Sequence, residues 1–205
     1  MRHLRTYEVA GYADEMLSNS AEPREFRDTA QRAFPGSLCN ASVSVADWLV
    51  PLVDMNYGVR TFDVTVEGEQ VFIPVRIHFR SEPQQHHLEP ERSGPMADCL
   101  LSRSTDGYLR HSALRRIVSL NQPWSVPYVV FLLGEYVVEI AEEIQRMLPN
   151  MDVALIREFL RANPRFHALI NARCASYWNC YYRWRFPEFS AYPAAIVLRA
   201  VETRA

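Results

Sequence analysis

The chain has 205 residues, 48% hydrophobic and 12% aromatic, with a formal charge of −2 at neutral pH. These values exclude a disordered chain, and no block of like charges points a broad field at DNA or at an anionic membrane. The length suits one domain, residues 1–205, with a substantial core.

All 22 basic residues are arginine. A GC-rich coding sequence, of bacterial type, accounts for that. So does selection against lysine-directed modification, as in a protein delivered into a ubiquitin-using host. Four cysteines, Cys39, Cys99, Cys174 and Cys180, form no CxxC pair, which suits free thiols in a reducing compartment. The opening MRHLRTYEVAGYADEM has no apolar signal-peptide run. The longest apolar stretch, Val126 to Leu133, falls well short of the ~20 residues a membrane helix needs. The expectation is a soluble, cytoplasmic protein with no membrane partner.

In chain order, Ser20 caps a predicted helix from Glu22 to Phe34, stopped by Pro35-Gly36. Ser44-Val-Ala-Asp47 has capping-box spacing and predicts a helix near Val45, although VSVADWLVPLV also reads as a buried strand. Residues 59–79, VRTFDVTVEGEQVFIPVRIHF, predict an antiparallel hairpin. With Gly68-Glu69 as a type II′ turn, Val66 faces Val71, Val64 faces Ile73 and Phe62 faces Val75, so one face is apolar. Thr61, Asp63 and Thr65 then share the other face with Phe72, Pro74 and Arg76. Residues 81–96, polar and proline-bearing, read as a surface loop dividing a mixed part (1–80) from a helical part (97–205).

Beyond the loop, Ser104, Thr105 or Asp106 caps a helix running to about Leu120. Residues 125–148 predict one long helix capped by Ser125, its first half apolar all round and therefore central. Asp152 caps a helix over Val153–Ala162, and Asn163-Pro164 opens another. From Pro164 the residues Phe166, Leu169, Ile170, Arg173, Cys174, Tyr177, Trp178, Tyr181 and Tyr182 recur at helical steps, the pattern of an inward stripe. Seven of the sixteen residues in CASYWNCYYRWRFPEF (174–189) are aromatic. The tail Arg183, Trp184 and Arg185 leaves the stripe, and arginine beside an exposed ring is contact-surface material. The closing AAIVLRAVE reads as a short helix. The fold class is α+β: the hairpin part packed on four to five C-terminal helices.

Signatures of catalysis and cofactor binding are missing: the seven glycines form neither GxGxxG nor a Walker loop, and HExxH and GxSxG do not occur. No cofactor and no metal is expected. Cys39, His86, His87 and Cys99 hold zinc-ligand chemistry at the wrong spacing, so His86 and His87 read as loop residues. Asp63, Arg76 and His78 are the candidate catalytic set, a polar hairpin face able to bind an anion or exchange protons. Glu135, Glu139, Glu142 and Glu143 lie on the predicted long helix, without the histidine of a dimetal motif. These four are expected to face Arg157, Arg161 or Arg165 of a neighbouring helix, or water, and a buried Glu135 needs an arginine against it.

Three functions follow. A non-catalytic interaction or accessory protein, binding a protein partner or a second copy, rests on Arg183, Trp184 and Arg185. A nucleic-acid binder using the same patch is supported by 13 arginines against 10 carboxylates in residues 97–205, set against 9 and 14 in residues 1–96. An enzyme would use Asp63, Arg76 and His78.

Overall fold

A computed structural model describes residues 22–80 and 90–203. Its α+β architecture sets one two-stranded antiparallel hairpin beside a helical C-terminal part. Helix α1 spans Glu22–Arg32 and α2 spans Cys39–Leu49, which settles the helix-or-strand ambiguity there in favour of helix. Pro51 turns the end of α2 into a short 3₁₀ segment, Val50–Leu52. Ser20, the expected cap of α1, lies outside the described residues.

The hairpin joins β1 (Thr61–Val66) to β2 (Glu69–Pro74). Its register corrects the sequence reading. Val64 faces Val71 and Phe62 faces Ile73, two residues from the predicted pairing. The turn residues are Glu67 and Gly68, both left-handed at φ 51° and 83°. Two positive φ values make the turn type I′, whose twist matches the strands. A shift of two keeps every side chain on its own face, so hydrophobic patterning cannot distinguish the two registers. The turn chemistry decides. Asn163 fixes the free edge of β1: its Oδ1 accepts from Thr65 N at 2.7 Å and its Nδ2 donates to Thr65 O at 2.8 Å.

Helix α3, Pro90–Leu101, begins inside the expected surface loop. Gly94 (φ 63°) interrupts it, and regular helix resumes at Pro95, where a missing N–H costs nothing. Asp106 caps α4 (Gly107–Ile117) by accepting from Tyr108 N at 2.7 Å. The single long helix predicted over 125–148 is instead two, α5 (Val126–Leu133) and α6 (Val138–Met147), broken at Gly134–Val137. Ser125, the expected cap of that helix, makes no capping bond and instead donates to Gln122 O. All eight residues of α5 are buried, as their composition predicts for a central helix. Helix α7 (Val153–Ala162) has its Asp152 cap, accepting from Leu155 N. Helices α8 (Pro164–Tyr177) and α9 (Pro193–Thr203) complete the described set. The early start of α3 and the split of the long helix raise the described C-terminal helices to seven.

One hydrophobic cluster includes Phe26 and Phe34 of the N-terminal part, Val64, Val71 and Ile73 of the hairpin, and the inward faces of α3 to α9. Tyr128 of α5 donates to Ala33 O at 2.9 Å, joining the central helix to the segment after α1.

Glu67 carries the left-handed strain of an L-residue with a Cβ, about 1–2 kcal/mol, which asparagine tolerates better. Glu67→Asn is therefore expected to stabilise the fold by roughly 0.5–1 kcal/mol, measured as a rise in the urea midpoint at unchanged m.

Candidate functional site

The break between α5 and α6 is where charge enters the core. Gly134 ends α5 because α8 approaches there: a Cβ on Gly134 would lie 3.1 Å from Ile170 Cδ1 and 3.3 Å from Arg173 Cδ. The next residue, Glu135, is only 2% exposed. Arginines from three places meet it. Arg76, just past β2, is bidentate, donating from Nη1 to Oε1 at 2.7 Å and from Nη2 to Oε2. Arg103, at the end of α3, donates to Oε1 at 3.1 Å. Arg110, on the inner face of α4, brings its Nε to 3.9 Å from Oε2.

Arg103 and Arg110 are both 0% exposed. Backbone carbonyls take part of their donor capacity. Arg103 bonds Pro74 O (3.1 Å) and Val75 O (2.8 Å), and Arg110 bonds Ser104 O and Thr105 O, each at 2.9 Å. Aromatic faces cover the rest: the Arg103 guanidinium lies 4.1 Å from the Phe131 ring centre and that of Arg110 5.6 Å from Tyr136. Burial alone pushes the Glu135 carboxyl up; Arg103, Arg76 and Arg110 together outweigh it and hold it below its ordinary value. Burial pulls Arg103 down to about 10 against the attraction of Glu135, so it stays charged at neutral pH. Three guanidinium groups surround one carboxylate. Among the described residues, Arg103 Nη1 and Arg110 Nε and Nη2 have no hydrogen-bond partner.

On the solvent side of this cluster is a pocket of about 420 Å³, lined by Asp106, Gly107, Tyr108, His111, Tyr136, Val137 and Glu139. Beyond Tyr136 the surface continues as rings. Tyr136 meets Tyr177 edge-on at 6.3 Å, and Tyr177 stacks on Tyr181 at 6.2 Å.

The aromatic stripe therefore faces inward only as far as Cys174; Phe166, Ile170 and Cys174 are buried. The chain then makes a π-turn, Trp178–Tyr182, which changes the helical period and rotates later residues outward. Tyr177, Trp178 and Tyr182 are half-buried, while Tyr181 is 58% and Trp184 81% exposed. This corrects the expectation that Tyr181 points into the core. Tyr182 braces the helix break: its hydroxyl donates to Tyr136 O (2.5 Å) and accepts from Val138 N (3.3 Å), satisfying backbone groups that the break frees.

Arg183, Trp184 and Arg185 lie together on the exposed turn after Tyr182. Trp184 Nε1 donates to Tyr181 O at 2.8 Å, Arg183 bonds Asn179 Oδ1 over the Trp178 ring, and Arg185 bonds Glu142 Oε1 at 2.6 Å. The hairpin set separates. Asp63 is exposed opposite Phe72, Arg76 turns to Glu135, and the His78 ring stacks on Tyr57 at 4.2 Å. Among the described residues no hydrogen bond or ion pair joins any two of the three. Arg157, one of the arginines expected to face Glu135, Glu139, Glu142 or Glu143, instead donates to Val201 O. Glu139 is exposed, Glu142 meets Arg185, and Glu143 meets His111, Arg115 and Arg146. Cys39 is exposed and Cys99 buried, while His86 and His87 lie outside the described residues. Among the described residues no group of three or more His, Cys, Asp or Glu is arranged to hold a metal, and no helix is long and apolar enough to cross a membrane.

The sequence reading missed Arg103 and Arg110. One signal was present: Arg110 falls on the same helical face as Leu114 and Ile117, so a charge sits on the apolar stripe of α4. No protein-family model matches the chain, and comparison with curated proteins and with solved structures finds no match.

Removing the Glu135 charge leaves three guanidinium groups without a counter-ion. Glu135→Gln is expected to cost about 3–5 kcal/mol of unfolding free energy in urea titration at pH 7. The folded carboxyl lies below its unfolded value of 4.5, so its contribution is complete above 4.5 and falls away as pH drops through the folded value. Asp98, raised by burial despite its bond to Arg116, runs in the opposite sense. Wild-type stability should therefore decline below pH 4.5 more steeply than that of the Glu135→Gln variant. Tyr182→Phe, which strips the hydroxyl from the helix break, should cost about 1 kcal/mol in the same titration.

Proposed function

We propose that this chain is a non-catalytic interaction protein whose contact face is the aromatic turn after α8, centred on Tyr181 and Trp184. The observation that carries this reading is the exposure of two large rings side by side on a braced turn. The Trp184 indole is tied to the Tyr181 carbonyl, and Trp178 Nε1 is tied to Phe186 O at 2.8 Å. Rings held this way lose little conformational freedom when a partner covers them, and Trp, Tyr and Arg dominate binding energy in protein interfaces.

The charge pattern supports protein over nucleic acid as the partner. Arg185 is already neutralised by Glu142, and Glu139 and Glu188 are also exposed. That mixture of signs suits the rim of a protein interface better than a phosphate track. The partner is a second copy of the chain or another protein that buries Trp184 at the centre of the contact.

Trp184→Ala and Tyr181→Ala remove exposed atoms, so unfolding free energy should move by no more than about 0.5 kcal/mol. Association should weaken at least about thirtyfold, the loss of a 2 kcal/mol hot spot. Light scattering from dilute to concentrated solution reads self-association, and parallel retrieval from lysate with wild type and the double variant reads other partners. A wild-type chain that stays monomeric throughout, and retains nothing the double variant fails to retain, overturns the reading. A low-salt gel shift abolished by Arg183→Ala would instead establish nucleic-acid binding.

A further inference from the structure

Four observations converge on the pocket between α4 and the α5–α6 break. First, Arg110 behind its wall is wholly buried and keeps two N–H-bearing nitrogens, Nε and Nη2, unpartnered among the described residues. Native interiors rarely leave such donors unused. Second, the wall is thinnest at Gly107. A Cβ there would lie 3.7 Å from Arg110 Nη2, so the residue that separates pocket from guanidinium has no side chain. Third, the half-exposed ring of Tyr136 lies over Arg110 as further cover. Fourth, the pocket lining itself carries two carboxylates, Asp106 and Glu139, together with the exposed Tyr108 ring.

The charges are segregated in space. Arg110 lies behind the wall with Glu135, whereas Asp106 and Glu139 line the pocket outside it. A simple anion attracted to Arg110 meets the two pocket carboxylates, and a simple cation attracted to those meets the arginines. A ligand with separated opposite charges gains at both ends. We infer that this pocket binds a small zwitterion of the α-amino-acid type, its carboxylate reaching Arg110 past a displaced Tyr136 ring and its ammonium held between Asp106 and Glu139. Arginine's planar fork matches a carboxylate in two hydrogen bonds, and tyrosine faces favour both an ammonium and an apolar or aromatic side chain. A volume of about 420 Å³ is of the size that holds such a molecule. The inference does not rest on the Tyr181–Trp184 face, although Tyr136 and Glu139 border both.

The probes are L-phenylalanine, glycine, sodium acetate and ethylammonium chloride, titrated at equal ionic strength and followed by calorimetry and by the shift in thermal transition of the full chain. L-phenylalanine should bind at least about tenfold more tightly than either single-charge probe, and glycine, which carries both charges and no ring, should also exceed each of them, which separates the further charged hydrogen bond from ring burial. Arg110→Gln should weaken it about tenfold or more, the loss of a charged hydrogen bond. Since Arg110→Gln also disturbs the buried cluster, Gly107→Leu provides the second variant. It puts apolar bulk between the pocket and Arg110 while keeping the charges of all three arginines and Glu135, and should abolish binding in a chain that still unfolds cooperatively. Glu139→Gln should weaken L-phenylalanine and leave acetate unaffected or tighter. The inference is overturned if L-phenylalanine gives no heat and no thermal shift, if acetate alone binds as well, or if Gly107→Leu binds undiminished.

Discussion

A carboxylate in the middle of a protein is tolerable only where cations reach it, and the contact of Glu135 with Arg76, Arg103 and Arg110 organises much of what surrounds it. Each arginine arrives from a different element: the exit of the hairpin, the end of α3, and the inner face of α4. The contact is therefore a junction between the hairpin and the helical part. Arg103 strengthens the junction by donating to the carbonyls of Pro74 and Val75, while its own carbonyl accepts from Ile77 N at 2.8 Å. Such clusters add little net stability over a well-packed apolar replacement, because desolvation of each ion offsets the attraction. Their effect is on uniqueness. A hairpin shifted along the helical part would strand a buried guanidinium or a buried carboxylate, which costs several kcal/mol per ion.

The helix break that delivers Glu135 has its own requirements. Without a side chain, Gly134 lets α8 come within van der Waals reach, and a Cβ would press on Ile170 and Arg173. The broken helix frees a carbonyl at Tyr136 and an amide at Val138, and one hydroxyl, that of Tyr182, serves both. Tyr182 in turn comes from the π-turn at the end of α8, the same distortion that swings Tyr181 and Trp184 into solvent. A local irregularity in one helix is thus matched by an irregularity in another. π-Turns of this kind recur where a protein presents side chains for function.

How much of this was legible in the sequence depends on the range of the forces involved. Caps act over three residues, so Asp106 and Asp152 were readable as helix starts. The apolar composition of Val126–Leu133 announced a central helix, and all of it is buried. The hairpin was readable with its faces correct. Its register was not, because a left-handed glutamate at position 67 is an uncommon choice and the apolar pattern permits a shift of two. The helix break at Gly134 was hidden for a different reason. Glycine inside a helical pattern is tolerated, and only the tertiary approach of α8 and the arginines makes breaking there favourable. In the aromatic stripe, residues up to Cys174 follow the 3.6 period, and the π-turn defeats any extrapolation beyond it. The partners of Glu135 were sought among arginines on neighbouring helices in sequence. The actual partners precede it by 25 to 59 residues, and sequence separation does not tell them from Arg157, Arg161 and Arg165, which follow it by 22 to 30.

The absence of lysine looks different once the cluster is in view. Some surface arginines here make contacts that an ammonium would serve as well, such as Arg27 with Asp47 at 2.5 Å. At Arg76, Arg103 and Arg110 the planar group itself is needed. Arg76 grips both oxygens of Glu135. Arg103 divides its fork between two backbone carbonyls and a carboxylate while its flat face covers Phe131, and Arg110 gives Nη1 to two carbonyls while turning Nε toward Glu135 beneath Tyr136. A lysine is a single strongly hydrated point charge, loses its proton more readily when buried, and cannot span these acceptors at once. Whatever keeps lysine out of the chain as a whole, geometry alone keeps it out of these three positions.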